Sequence, residues 1–343
     1  MSHAPSLTPT QRAWRRFCQH KRGFYSLWLF LLFFVLSLGA ELLSNDRPLV
    51  VRYHDQLYFP VLFDYQETAF GGDFDTATDY LDPFIQDQFA RPGNFAIYAP
   101  NPYSYNTVNY FADNPNPAAP SNDNVLGTDD RGRDVLARLI YGFRVSVLFA
   151  LALTVSGTLL GVLFGALQGF FGGKFDLLLQ RVLEIWGSLP ELYLLIILAS
   201  LFNPSLWLLL LLLTLFGWMG LADYVRAEFL RNRQMDYVLA ARASGLNSWQ
   251  IMWRHVLPNS LTPVLAFLPF RVSGAILALT SLDFLGLGVP SSTPSLGELL
   301  AQGKDNLDAW WIALPTFVVL TVTLLLLIFI GEGLRAALDT RKG

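Results

Sequence analysis

Two carboxylates, Glu184 and Glu191, stand in a mostly apolar run between Leu177 and Leu201. Hydrocarbon gives an ionised carboxylate no water, so such groups are either paired or serve an ion, a proton or an ammonium group in transit. Arg181 lies one helical turn before Glu184 and can neutralise it, which gives that pair a structural reading. Glu191 follows Pro190 and can open a helix restarted after a kink, where its charge suits the positive N-terminal end. Glu184 and Glu191 are therefore the candidate translocation-pathway residues. Asp223, further along, is expected to pair with Arg226.

Other chemistries find no residues. Cys18 is the only thiol and there are four His, so no intrachain disulfide is possible and a dedicated transition-metal site or other cofactor is not expected. Gly173 and Lys174 begin like a nucleotide-binding loop, but Phe175 stands where Ser or Thr is needed and Gln168 where the upstream Gly is needed. The chain is thus not read as an enzyme, and any ATP hydrolysis belongs to partner subunits. With 24 basic and 27 acidic residues, no overall basic surface points to nucleic acid. Residues 45 to 143 hold no set of nucleophile, base and metal ligand, which argues against a membrane-anchored external enzyme.

These residues must be positioned by elements suited to a bilayer. Hydrophobic residues make up 53% of the chain and charged ones 15%, far from a soluble composition. A spanning helix needs roughly 20 mostly apolar residues. Six stretches qualify: 24 to 43, about 145 to 171, 177 to 201, 206 to 225, 261 to 282 and 312 to 330. The fifth is interrupted by Pro263, Pro269 and Arg271, and the leucines from Leu208 to Leu213 in the fourth are expected to face lipid. The expected fold is an all-α integral membrane protein with six transmembrane helices and an extracytoplasmic insert between the first two. The first apolar run exceeds the ~7 to 15 residues of a signal peptide, so it reads as a retained span.

Lys and Arg in short connections set orientation. Residues 1 to 23 carry Arg12, Arg15, Arg16, Lys21 and Arg22 without an acid, which puts the N-terminus in the cytoplasm. Trp14, Phe17 and Cys18 alternate with these bases, as in a helix lying on the inner leaflet, although a disordered basic tail has the same composition. Residues 226 to 258 and the tail from 336 to 343, with Arg341 and Lys342, read as cytoplasmic, and residues 283 to 311 as external. The insert from 44 to 143 then lies outside. Its aromatics, from Tyr53 to Phe89, are expected to form the core of a small lobe, and its Pro- and Asn-rich tract from 92 to 122 an adaptable tip. The insert ends at Leu126 to Asp134, where Thr128 or Asp129 can cap the next helix and Asp134 can pair with Arg138. Ser295 and Glu298 have the spacing of a capping box.

The most informative stretch runs from Asp236 to Pro258. It predicts a short helix stopped by Gly245, a turn, a second helix capped by Asn247 or Ser248, and a stop at Pro258. Ala240, Ala241, Ala243 and Ser244 keep the first helix narrow, the geometry of a helix that docks in another protein's groove.

This stretch resembles the EAA loop of importer permeases of the ATP-binding-cassette class: Ala240, Ala241, Gly245, Leu257 and Pro258 match in register. Leu239 replaces the motif's Glu, removing a charge with which such a loop could form an ion pair. His255 replaces its Ile, as in the dipeptide, oligopeptide and nickel subfamily. Further segments resemble that subfamily: Leu126 to Asp134, Asp283 to Gly288, Pro294 to Gly297, Ala309 to Trp311 and Gly331 to Arg335. The resemblance covers most of residues 126 to 341 and places a permease core at 144 to 335. It implies ATP-driven import of oligopeptides, peptide antibiotics such as microcin C among them, with nickel as an alternative cargo. It also implies four kinds of neighbour: two ATPases docked on the 236 to 258 loop, a second homologous permease, a periplasmic peptide-binding protein and the lipid bilayer. A proton-coupled secondary transporter using Glu184 and Glu191 is the rival reading; it predicts inverted repeats, and none is visible.

Overall fold

The computed structural model describes residues 8 to 110, 114 to 202 and 205 to 339. Arg341 and Lys342 of the expected cytoplasmic tail lie outside the described residues. Thr8 caps α1 (Pro9–Gln19) in a capping box with Gln11, and α2 (Lys21–Leu38) and the single turn α3 (Ala40–Leu43) follow. Next come β1 (Val50–Tyr53), β2 (Gln56–Tyr58), α4 (Pro83–Ala90) and β3 (Phe95–Ile97). The remaining named elements are helices: α5 (Val135–Phe171), α6 (Gly173–Gly187), α7 (Glu191–Leu201), α8 (Leu206–Gly217), α9 (Met219–Asn232), α10 (Asp236–Ala243), α11 (Ser248–Ile251), α12 (Leu257–Phe284), α13 (Leu296–Asp305) and α14 (Trp310–Leu338).

Among the described residues, five helical stretches are long and apolar enough to cross a membrane: 21 to 38, 135 to 171, 206 to 232, 248 to 284 and 310 to 338. The expected third span is instead two helices, because α6 ends at Gly187 and α7 restarts at Glu191 after Pro190, which has no N–H to continue the ladder. The chain divides into two compact units, one of Met1–Leu31, Val147–Pro290 and Thr321–Gly343, the other of Leu32–Ser146 and Ser291–Leu320.

In the first unit, Gly157, Gly161, Gly165 and Gly169 recur every four residues along α5 and so share one face. A Cβ on Gly165 would lie 2.5 Å from the Ala222 carbonyl oxygen and one on Gly169 2.5 Å from Phe229 Cβ, so the stripe lets α9 approach backbone to backbone. One local charge pairing needs correction here. Asp223 accepts from Gln180 Nε2 at 3.1 Å, and Arg226 is held by Asp176 on α6. The leucine run of α8 does not simply face lipid. Leu209, Leu212 and Leu213 are buried against Phe149, Leu195, Leu279 and Leu282, because six consecutive residues cover every face of a helix with 3.6 residues per turn. The basic N-terminal stretch is helical, with Phe17 buried, Trp14 exposed and Arg16 donating to the Asp339 carbonyl at 3.3 Å.

The second unit corrects the all-α expectation, since it holds a three-stranded antiparallel sheet ordered β2-β1-β3. Val51 pairs with Tyr58 and Ala96, and its side chain packs with Phe70, Tyr80, Ile85 and Phe89. The aromatics do form the lobe's core, with Phe70 and Phe89 edge to face at 5.2 Å, although Phe63, Phe74 and Phe84 remain exposed. The Pro- and Asn-rich tract is largely bound rather than a loose tip. Asn101 Nδ2 donates to Asp134 at 2.7 Å, Asn109 Nδ2 to Asn124 at 2.8 Å, and the Ala118 amide to Thr128 Oγ1 at 2.8 Å.

Candidate functional site

The stretch from Asp236 to Pro258 is built on α10, α11 and the start of α12. Val238 and Ala241 point inward with Ile251, Met252 and Val256, closing a core with Ala166 and Phe170 of α5 and Val225 and Phe229 of α9. This burial fixes which face is left outside. Leu239, Ala240, Leu246, Trp249 and Trp253 are exposed there, and Leu239 is 51% exposed. Gly245 has φ +81°, its N–H bonds the Arg242 carbonyl and the Leu246 N–H reaches back to Ala241, a helix stop that needs the left-handed region. A Cβ on Gly245 would meet nothing within 4 Å, so the space beyond the turn is open.

Asn247 is the cap of α11 and forms a capping box with Gln250, which selects between the two candidates. Pro258 does not stop the helix. Residues Met252–Val256 form one π-turn, and α12 continues through Pro258, Pro263 and Pro269 to Phe284. The wider turn leaves room for a ring that would clash in an α-helix, and Asn259 Nδ2 donates to the His255 carbonyl at 2.9 Å. His255 and Leu257 are half-buried, while Pro258 is exposed at the foot of this helix. A cavity of about 550 Å³ opens beside α10, lined by Phe170, Phe171, Arg233, Leu239 and Arg242. Leu239 thus shares this cavity with two arginines, where the motif's Glu would bring a charge.

The two acidic pathway candidates have different surroundings. Glu184 is bound by Arg181, as expected from their spacing. Glu191 lines a cavity of about 200 Å³ together with Thr154 of α5 and Arg271 of α12. In the sequence Arg271 is an interruption of the fifth span, and its charge in the middle of an apolar run is the signal that marks it.

In the second unit, the Leu126 to Asp134 segment forms a buried ion network with α13. Arg133 donates to Asp129, with Nε to Oδ2 at 2.7 Å, and to Glu298 at 3.2 Å. Burial opposes the Arg133 charge, but the bonds and charges of Asp129 and then Glu298 outweigh it and hold its pKa above the usual value. Arg138 pairs with Glu298 and lies 3.6 Å from Asp129, not with Asp134 as its spacing suggested. Asp134 is already committed, because it accepts from Asn101, Asn124 and the Ala137 amide and so caps α5 itself, in place of Thr128 or Asp129. Ser295 caps α13 as expected, while the Glu298 carboxylate turns to the arginines.

A chain whose described residues include five membrane-length apolar helices and this exposed helical turn matches a known class. The chain belongs to the family of binding-protein-dependent transport system inner membrane components, whose model matches residues 157 to 343, and a second model, the N-terminal TM domain of oligopeptide transport permease C, matches residues 8 to 69. It is 49% identical over 337 residues, 98% of each chain, to the inner membrane ABC transporter permease protein YejE of Escherichia coli K12. It is 48% identical over 98% of its length and 95% of the relative's to the peptidoglycan transport system permease protein YejE of Agrobacterium fabrum. To the oligopeptide transport system permease protein OppC of Bacillus subtilis it is 33% identical, over 72% of this chain and 81% of that one. Its fold is like that of a chain in inward facing conformations of the MetNI methionine ABC transporter, with a TM-score of 0.50 and 19% identity over 59% of this chain and 97% of the other. The chain is therefore a multi-pass inner-membrane permease of the peptide ABC-transporter family.

Proposed function

We propose that the chain is the membrane-spanning subunit of an importer that moves peptides inward by alternating access, driven by ATP hydrolysed on separate subunits. The observation that carries this is the anchored stretch from Asp236 to Pro258, whose core side chains are buried while Leu239, Leu246, Trp249 and Trp253 remain exposed on the surface it presents. Swinging a gate from 1:99 to 99:1 takes about 5.5 kcal/mol of differential binding, and a rigidly mounted docking element is a means of transmitting it. In this reading Leu239, Ala240, Ala241, Gly245, His255, Leu257 and Pro258 form the coupling element. A second homologous permease completes the pathway, and a periplasmic peptide-binding protein delivers cargo to the lobe of residues 44 to 143. The peptide and peptidoglycan names of the relatives share a peptide portion, which supports peptides over nickel as cargo.

The chain crosses the membrane six times in this reading, with α6 and α7 as one broken crossing, both termini and residues 236 to 258 in the cytoplasm, and the lobe outside. Glu191 lines the pathway, whereas Glu184 is neutralised by Arg181. The test replaces Leu246 and Trp249 by Asp in the assembled complex. The ATPases should then no longer co-purify while the second permease still does; retention of the ATPases together with normal uptake would refute the docking role.

A further inference from the structure

The cavity that holds Glu191 contains an unspent cation. Arg271 lies ten residues into the proposed fifth span, so about 15 Å along it at 1.5 Å per residue. Among the described residues its one hydrogen bond runs from Nη2 to the Gly217 carbonyl at 3.2 Å, and its Nε is buried without a partner. Thr154 Oγ1, on the facing helix α5, is also buried without a partner and lines the same cavity. Room for the guanidinium is made by small residues: a Cβ on Gly157 would lie 2.9 Å from Nη2, and Gly217, Gly274 and Ala275 line the space in front of it.

A half-buried guanidinium with donors left over attracts an acceptor that can take two N–H groups at once, and a carboxylate has that shape. Glu191 in the same cavity repels a second negative charge, so a singly charged group is preferred to a phosphate dianion. Every unmodified peptide carries such a group at its C-terminal end. We propose that this cavity is a binding site for the cargo's terminal carboxylate, with Arg271 as the anion-binding group and Thr154 as an additional hydroxyl donor. Glu191 balances the site's charge and sets its selectivity. The inference rests on the peptide-import reading above and adds to it the part of the peptide that the membrane subunit recognises.

The test uses the complete transporter in proteoliposomes, with saturating binding protein preloaded with one pentapeptide as its free acid or as its C-terminal amide. Wild-type complex should take up the free acid about tenfold or more faster than the amide. Arg271→Gln should bring the free acid down to the rate of the amide and leave the amide unchanged, and Arg271→Lys should restore part of the preference. Assembly of each variant is checked by size-exclusion chromatography. Equal losses for both peptides would mean that Arg271 serves the complex's own architecture, and no loss for either would mean that it is idle; both results overturn the proposal. Wild-type complex that moves neither peptide on adding ATP would instead overturn the peptide-import reading itself.

Discussion

Arg226 of α9 forks onto Asp176 of α6, Nε to Oδ1 at 2.5 Å and Nη2 to Oδ2 at 2.6 Å, across fifty residues of sequence. The Asp176 side chain is 10% exposed and that of Arg226 28%, so the pair is more sheltered than a surface ion pair without being fully buried. Its geometry matters because only a guanidinium offers two parallel N–H groups to a carboxylate.

Breaking that fork is expected to loosen the packing of α6. Asp176→Asn should lower stability by about 1 to 3 kcal/mol, between the values for exposed and buried pairs, and Arg226→Lys should cost less. Thermal unfolding of the purified complex in detergent measures both, and the exchanged pair Asp176→Arg with Arg226→Asp should recover part of the loss. Equal melting temperatures for all variants would show the fork to be idle.

Gly245 separates conformational from docking effects. A Cβ there meets nothing in the chain, so Gly245→Ala should cost only the left-handed backbone term, about 1 to 2 kcal/mol. Gly245→Leu adds bulk on the open side and is expected to insert normally but to uncouple ATP hydrolysis from uptake. Uptake per ATP hydrolysed is the readout; identical values for the Ala and Leu variants would mean that no partner approaches this turn.

The cap of α5 is concentrated in one side chain. Asp134→Ala removes an acceptor from Asn101, Asn124 and the Ala137 amide, and should destabilise by about 2 kcal/mol. Asp134→Asn keeps one acceptor oxygen and should lose less. Limited proteolysis of residues 92 to 130 should accelerate in the Ala variant, and an unchanged cleavage rate would argue that the tract is held by other bonds.

The half-buried phenol of Tyr98 in the lobe titrates late. Burial, with smaller contributions from Tyr80 and Asp79, pushes the Tyr98 hydroxyl up to about 12. Its folded value lies above the ordinary value of 10.0, so its contribution to stability is full below about pH 10 and is lost as pH rises through about 12. The absorbance difference at the phenolate band between wild type and Tyr98→Phe should appear only near the upper value. A difference already complete near the ordinary value would place that hydroxyl in solvent.

Topology can be read with single cysteines in a Cys18→Ser background, at sites chosen by exposure. Tyr110 is 84% exposed whereas neighbouring Asn109 is buried, so Tyr110→Cys is the reporter for the lobe and Ser244→Cys the one for residues 236 to 258. An impermeant thiol reagent should label the first in intact cells with an opened outer barrier and the second only after lysis. The reverse pattern would invert the orientation drawn from Arg and Lys.

What the sequence made legible was periodic or punctuated. Long apolar runs identified α2, α5, α12 and α14, and Gly245 with Asn247 marked a helix stop and a cap because both act on their immediate neighbours. Failures came where a nearby residue was preferred to a distant one. Asp223 lost Arg226 to Asp176, and Asp134 lost Arg138 to Glu298 while asparagines of the lobe donate to Asp134 instead. Pro258 misled for another reason: a π-turn absorbs its ring, and hydrophobic pattern carries no sign of that turn. Arg271 was visible throughout, but its unspent donors became apparent only with its neighbours in place.

The most direct measurement is peptide uptake into proteoliposomes holding the complete transporter, comparing ATP with an imposed proton gradient. Uptake should require ATP, continue when a protonophore collapses the gradient, and cease when the partner ATPases are inactivated. Uptake driven by the gradient without ATP would contradict the account and favour a proton-coupled carrier using Glu184 and Glu191.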